Sequence, residues 1–465
     1  MTAILLDDVQ GIILRGYKEL LAARFVLFRV DDGEAARLWL ARLPITSASE
    51  KDHDAATNVA LTWEGLERLG VPADDLDRFA VELREGMSKD AQRQRALGDI
   101  GKHAPESWQW GGPSDAIHGV LLLYATTREK LAELEARVFE EQKTGVTVLR
   151  KLESRALQDG PGTKRYWFRE HFGFRDGVAQ PRIALRAGTP SEQRRGITRE
   201  AGEGNIVAPG EFLFGYPNEY GKEPDGAPPR LRNNGSFLVI RQIEQDVFGF
   251  WQFVRDKAHK LDVSPILLAS KMVGRWPNGA PLVRAPREET AGLEQFDAFG
   301  YAAHDPQGNA CPFGAHIRRT NPRDALVPGE RASMQITKTH RLIRRGRSYG
   351  EPIHEPLDPS LFLSKLDALA ATAGGERGLH FLCFNTSIQR QFEFVQQTWI
   401  NSPKFMGQHD SSDPIASPTD GGAFEVPGFP ARRRVTDMKS FVRIRGGAYF
   451  FMPGLRALRS IAELG

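Results

Sequence analysis

The sequence predicts an α+β protein made of two halves of like topology, each an antiparallel sheet backed by helices. Short apolar runs rich in β-branched and aromatic residues alternate with amphipathic helical stretches. The order strand-helix-strand-strand-helix-strand occurs twice. Long Gly- and Pro-rich insertions, notably 185–233 and 275–330, separate the elements of the second half.

In the first half, residues 22–30 (AARFVLFRV) read as a strand, and 34–43 (EAARLWLARL) place Ala, Leu and Trp at helical spacing. Residues 57–63 read as a strand, and a polar stretch over 85–114 follows. Residues 116–125 (AIHGVLLLYA) read as a strand. Residues 127–142 form an amphipathic helix with Leu131, Leu134, Val138 and Phe139 on one face, and 145–150 a strand. In the second half, 235–243 is a strand, 246–259 a helix, and 335–344 (QITKTHRLIR) alternates as a strand does. Residues 378–385 are a strand, 387–399 a helix and 441–451 a final strand. Each half has the order of a ferredoxin-like unit, which predicts domains over 1–160 and 161–465.

The 465 residues carry 62 Lys and Arg against 59 Asp and Glu, a net charge of +3, with 40% hydrophobic residues. This balance excludes a disordered chain and a coiled coil, and it argues against a dedicated nucleic-acid binder. No run reaches the ~18 apolar residues of a spanning helix. The start of the chain holds no basic region followed by a long apolar one. A cytoplasmic protein without membrane partners is expected. Cys311 and Cys383 are too few for a disulfide framework and suit a reducing compartment.

HExxH, CxxC, CxxCH, GxxxxGK[ST] and GxSxG are all absent, and no GxGxxG follows a strand. This argues against zinc hydrolases, dithiol redox proteins, covalently attached haem, nucleotide binding and serine hydrolases. Three loops concentrate special residues: 171–182 (HFGFRDGVAQPR), 311–323 (CPFGAHIRRTNPR) and 341–350 (RLIRRGRSYG). His316 lies between Gly314 and Pro322. One imidazole cannot make an all-protein metal site, but it suffices for a haem, whose macrocycle supplies four nitrogens. Arg318, Arg319 and Arg323 follow it, and their forks match carboxylates such as haem propionates. Asp176, between Phe174 and Gly177, has the makings of a proton shuttle. Arg344, in a cluster with Arg341, Arg345 and Arg347, has the charge to stabilise a developing anion. Taken singly, these residues also read as a structural loop histidine, an Asp-Gly turn and a basic sheet edge.

Together the segments are far more specific. Val9-Gln10-Gly11 with Leu14-Arg15-Gly16-Tyr17, Gly173-Phe174-Arg175-Asp176-Gly177 with Gln180-Pro181, and the run Cys311 to Arg323 resemble the dye-decolourising peroxidases, in their longer-chain branch. The likeness continues through Leu342-Ile343-Arg344, Tyr349-Gly350, 379–399 and Arg445 to Phe451, in order and over nearly the whole chain. Ser348 departs from it, standing where a proline is common.

The resemblance implies haem b, iron protoporphyrin IX, held by His316 as the iron ligand in the C-terminal domain. Asp176 and Arg344 are then the distal catalytic pair, Arg323 binds a propionate, and Asn321 lines the pocket. Leu382 and Phe384 form the apolar wall above the haem. Asp413 or Glu393 accepts a hydrogen bond from the far nitrogen of His316. The activity implied is reduction of hydrogen peroxide with oxidation of dyes, phenols or other bulky aromatic donors, partly at the surface. Tyr349 and Trp399 are candidate surface electron relays. A monomer or homodimer is expected. Two rival readings are a protein that handles haem or iron with incidental peroxidase activity, and an RNA-binding module using the 341–347 cluster.

Overall fold

The computed structural model describes residues 3–51, 54–140, 144–157, 168–184, 206–327, 329–427 and 431–464. The expected boundary at 160/161 and part of the 185–233 insertion lie outside them.

The first half follows the expected order. β1 (Ala22–Val30) leads to a helix over Gly33–Arg42, whose first turn is capped by the Asp32 carboxylate accepting from Ala35 N. β2 (Ala55–Leu61) and β3 (Gly119–Ala125) follow, then a helix over Arg128–Val138 and β4 (Val146–Arg155). The strands lie antiparallel in the order β2-β3-β1-β4. Alternate residues divide between two cores. Val26, Phe28, Leu121 and Leu123 pack under Trp39, Leu40, Leu131 and Leu134 of the helices. Phe25, Leu27, Leu122 and Tyr124 face the other way, into the molecule.

After a two-stranded pairing of β5 (Arg182–Ile183) with β6 (Ile206–Val207), the second half repeats the plan. β7 (Ser236–Gln245) runs into a helix over Val247–Leu261. The second-strand position is shared by two short strands, β8 (Ile343–Arg344) and β9 (Arg347–Tyr349). β10 (Gly378–Asn385) is followed by a π-helical segment from Gln389 to Ile400. A hairpin of β11 (Ala423–Val426) and β12 (Arg433–Thr436) precedes β13 (Val442–Met452). β13-β7-β10 with β8 and β9 mirrors β4-β1-β3-β2, so both halves have ferredoxin-like strand order.

The halves join edge to edge, β4 to β9 at Arg155–Ser348 and β13 to β2 at Phe451–Leu61. The nine-stranded sheet thereby closes on itself, which leaves few free edges. Gln10 sits at the second joint, donating to the carbonyls of Val59 and Pro453 and accepting from Val59 N.

One element differs from expectation. Residues 335–344 are not a strand: a helix covers Glu330–Thr339, and β8 holds only Ile343 and Arg344. The inward face of this helix presents hydroxyls, Ser333 and Thr337, both donating to the Arg323 carbonyl. A helix anchored by polar groups leaves no apolar period to read.

Phe237 is fully buried between the halves, edge-on to Phe214 at 5.1 Å and near Phe451 at 6.3 Å. Phe237→Ala is expected to cost about 3–5 kcal/mol of stability, read from the midpoint of urea unfolding.

Candidate active site

The loop carrying Asp176 is shaped by its own neighbours. The Glu170 carboxylate accepts from Phe172 N (2.9 Å), Phe174 N (3.0 Å) and Gln245 Nε2 (2.6 Å). Between those amides Gly173 adopts φ 95°, a conformation that glycine alone takes without strain. Desolvation pushes the Glu170 carboxyl up to about 7, against these donors. The Trp251 indole donates to the Phe172 carbonyl, and His171 Nε2 donates to the Tyr349 carbonyl on β9. Burial depresses His171 to about 4, so the ring is neutral. Gln180 completes the docking, its Oε1 accepting from Arg344 N at 3.0 Å.

These contacts bring Asp176 beside Arg344, with Oδ1 4.0 Å from Nη1. Both side chains are about one-third exposed, at 38% and 32%, so the pair fronts open space. Across the ladder Arg344 opposes Cys383, and directly opposed residues share a face. That face carries Phe381 and Leu379. Leu382 and Phe384 point the other way, into the inner core with Ile343. The expectation for Leu382 and Phe384 is thus corrected: along β10 it is Phe381 and Leu379, both partly exposed, that share the face of Arg344.

His316 opens a short helix, His316–Thr320. Its Nδ1 donates to Asp413 Oδ2 at 2.9 Å, and Asp413 Oδ1 accepts from the amides of Ile415 and Ala416. Burial raises Asp413, but His316, Arg319 and the Ala416 N–H outweigh it and hold the carboxyl below its usual range. Glu393, the other candidate partner, is engaged by Arg93 and Tyr449 instead. His316 Nε2 has no hydrogen-bond partner among the described residues. Asn321 is buried with both amide atoms unpartnered, as is Arg323 Nε.

The arginines after His316 hold the loop. Arg318 is fully buried between the rings of Tyr301 and Phe313, bonded to Asp305 and to the Cys311 carbonyl. Arg319, also fully buried, reaches the carbonyls of Gly314, Trp399, Ser402 and Ser411 and the Gln408 amide. Neither is available to a propionate, contrary to the sequence reading. Arg323 has φ 55° and binds Asp297 and the carbonyls of Asp297 and Phe299. Asp297 also holds Arg275. Arg341 lies near both sides of the site: burial, with repulsion from Arg323 and Arg344, lowers it to about 9.

Tyr349 and Trp399 are 8% and 4% exposed. Tyr349 stacks on His380 at 4.6 Å, and Trp399 packs against His340 and Phe394. The expectation that they are surface relays is therefore corrected: both are interior side chains. Sequence reading missed Glu170, Gln180, Asp297 and Phe381. Gln180 alone carried a signal, through the Gln-Pro pair after the Asp-Gly turn.

Comparison with known proteins decides the family. No family model matches the chain. A dye-decolorizing peroxidase of Mycena epipterygia is 30% identical, the match covering 99% of this chain and 87% of that protein. The chain belongs to the dye-decolorizing peroxidases. A multifunctional dye peroxidase of Amycolatopsis is likewise 30% identical, over 99% of this chain and 96% of its own. A solved dye-decolorizing peroxidase in complex with 2,6-dimethoxyphenol superposes with a TM-score of 0.78 at 25% identity, covering 99% of this chain and all of that one. Dye-decolorizing peroxidases are haem enzymes acting on hydrogen peroxide, and this chain is one of them. The residues fit such a group: a half-buried histidine with a free nitrogen, and buried polar atoms without partners nearby in sequence. Among the described residues, no helix is long and apolar enough to cross a membrane.

Glu170 sets a pH signature. The folded chain keeps a proton on Glu170 where the unfolded chain, with an ordinary carboxyl, has lost it. Stability is therefore expected to fall between about pH 4.5 and about pH 7, and Glu170→Gln to flatten that fall, as measured by urea unfolding across the range.

Proposed function

We propose that this peroxidase binds haem b through His316, reduces hydrogen peroxide with Asp176 and Arg344, and oxidises dyes, phenols and other bulky aromatic donors. The observation that carries this reading is the approach of Asp176 to Arg344 at 4.0 Å in a partly open space, a carboxylate and a cation that charge neutrality alone does not require there. The domain division at 160/161, with haem in the second domain, belongs to the same reading. So does a cytoplasmic location, supported by two buried, unpaired cysteines.

When bound, the haem supplies the iron at which peroxide is reduced. The residues around it have distinct tasks. Asp176 Oδ1 accepts the Gly177 amide at 2.6 Å, which orients the carboxylate. Its other oxygen takes the proton from one peroxide oxygen and returns it to the departing oxygen, so that water leaves. The Arg344 guanidinium offsets the negative charge that builds on that departing oxygen. Asp413, accepting from His316 Nδ1, fixes the tautomer and strengthens Nε2 as a donor. Asn321 and Arg323 Nε offer polar contacts to the edge of the cofactor. Phe381 and Leu379 narrow the space beside Arg344, so a large donor gives its electrons from outside.

Protein supplied with haem is expected to show a Soret band and to turn over an aromatic dye with peroxide. A protein that takes up no haem overturns the reading, and iron release without dye turnover favours haem handling. His316→Ala is expected to lose tight haem binding. Asp176→Asn is expected to keep haem yet react with peroxide roughly 10²–10⁴-fold more slowly in stopped flow; an unchanged rate removes the shuttle role. Asp413→Asn is expected to weaken haem retention or activity by about 10–100-fold, read by Soret loss during dialysis and by dye turnover.

A further inference from the structure

The sheet places a redox-capable side chain on the face that carries Arg344. Arg344 opposes Cys383, Cys383 opposes Val239, and Val239 opposes Tyr449. Opposed residues share a face, so Tyr449 stands in the same cross-strand row as Arg344, three strand spacings or ~14 Å away. Aromatic rings fill the interval. Phe381 lies 6.2 Å from Phe392, centroid to centroid, and Phe392 lies 6.1 Å from Tyr449.

The surroundings of Tyr449 are unusual for a core tyrosine. It is 2% exposed, and its hydroxyl donates to Glu393 Oε1 at 2.9 Å. Arg93 Nε donates to the same oxygen at 2.7 Å, and Arg93 in turn meets Glu85. Glu82 and Arg241 also lie within electrostatic reach of this group. Burial and the Glu393 charge push the phenol well above its ordinary range, so loss of the proton alone is strongly disfavoured. Loss of an electron reverses that preference, because an oxidised phenol is a strong acid and a carboxylate already holds its hydrogen. The same ring borders a recess lined by Trp63, Leu83, Met87 and Gly447, a way in for a donor.

We propose that Tyr449 is a one-electron redox site of this peroxidase, with Glu393 as its proton acceptor. Tyr449 gives one electron to the cofactor after peroxide has oxidised it, and its hydroxyl proton moves to Glu393. A phenolic donor at the recess then returns an electron to the tyrosyl radical, leaving as a phenoxyl radical with its own proton released to solvent, and Glu393 returns the proton to Tyr449. The inference rests on the reading of His316, Asp176 and Arg344 as the cofactor site.

The test uses the haem-loaded protein, with loading matched by Soret absorbance. It is mixed with hydrogen peroxide in the absence of donor, frozen, and examined by electron paramagnetic resonance. A tyrosyl radical is expected in the unaltered protein. Tyr449→Phe keeps the ring packing and is expected to lose the signal. Glu393→Gln keeps the shape and is expected to lower its yield. An undiminished signal in Tyr449→Phe, or no tyrosyl signal in the unaltered protein, overturns the site. An undiminished signal in Glu393→Gln overturns the proton acceptor. Absence of a Soret band marks failure of the parent reading instead.

Discussion

β10 is paired on both flanks, with β7 along one edge and with β8 and β9 along the other, and this register positions the face that carries Arg344. It sets Arg344 opposite Cys383, aligns Phe381 with the guanidinium, and turns Leu382 and Phe384 inward. A slip of one residue would exchange the two faces. The inner core would then receive the partly exposed Phe381 and lose the fully buried Leu382 and Phe384, so the hydrophobic effect enforces this register.

The loops on either side depend on that strand through polar anchors. Gln180 binds the Arg344 amide, and His171 binds the Tyr349 carbonyl, so the Asp176 loop is fixed to β8 and β9. On the other side, Arg318 and Arg319 satisfy carbonyls of turns too short to pair among themselves. Burying two guanidiniums is costly, but removing either would strand several buried acceptors. Positive charge around the histidine is therefore mostly structural.

Much of this was legible in the sequence. The short apolar runs at 22–30, 116–125 and 378–385 mark strands, and their order around two helices per half specifies the ferredoxin-like plan. The Asp-Gly turn, the histidine between Gly314 and Pro322 and the Arg344 strand end stand out because glycine and proline constrain the backbone beside reactive groups. Residues 335–344 misled because a helix anchored by Ser333 and Thr337 hides its inward face behind polar letters. Arg318 and Arg319 misled because cationic side chains look the same whether they face a ligand or a ring of carbonyls.

The sequence by itself determined most of the strands (335–344 apart), which loops carry reactive residues and to which family the motifs point, since these follow from local periodicity and backbone constraint. Only the tertiary structure decided between Asp413 and Glu393, turned Leu382 and Phe384 away from the face of Arg344, enclosed Tyr349 and Trp399, and set Tyr449 in line with Arg344. Those outcomes depend on cross-strand register and on contacts between residues far apart in the chain, which local spacing does not encode.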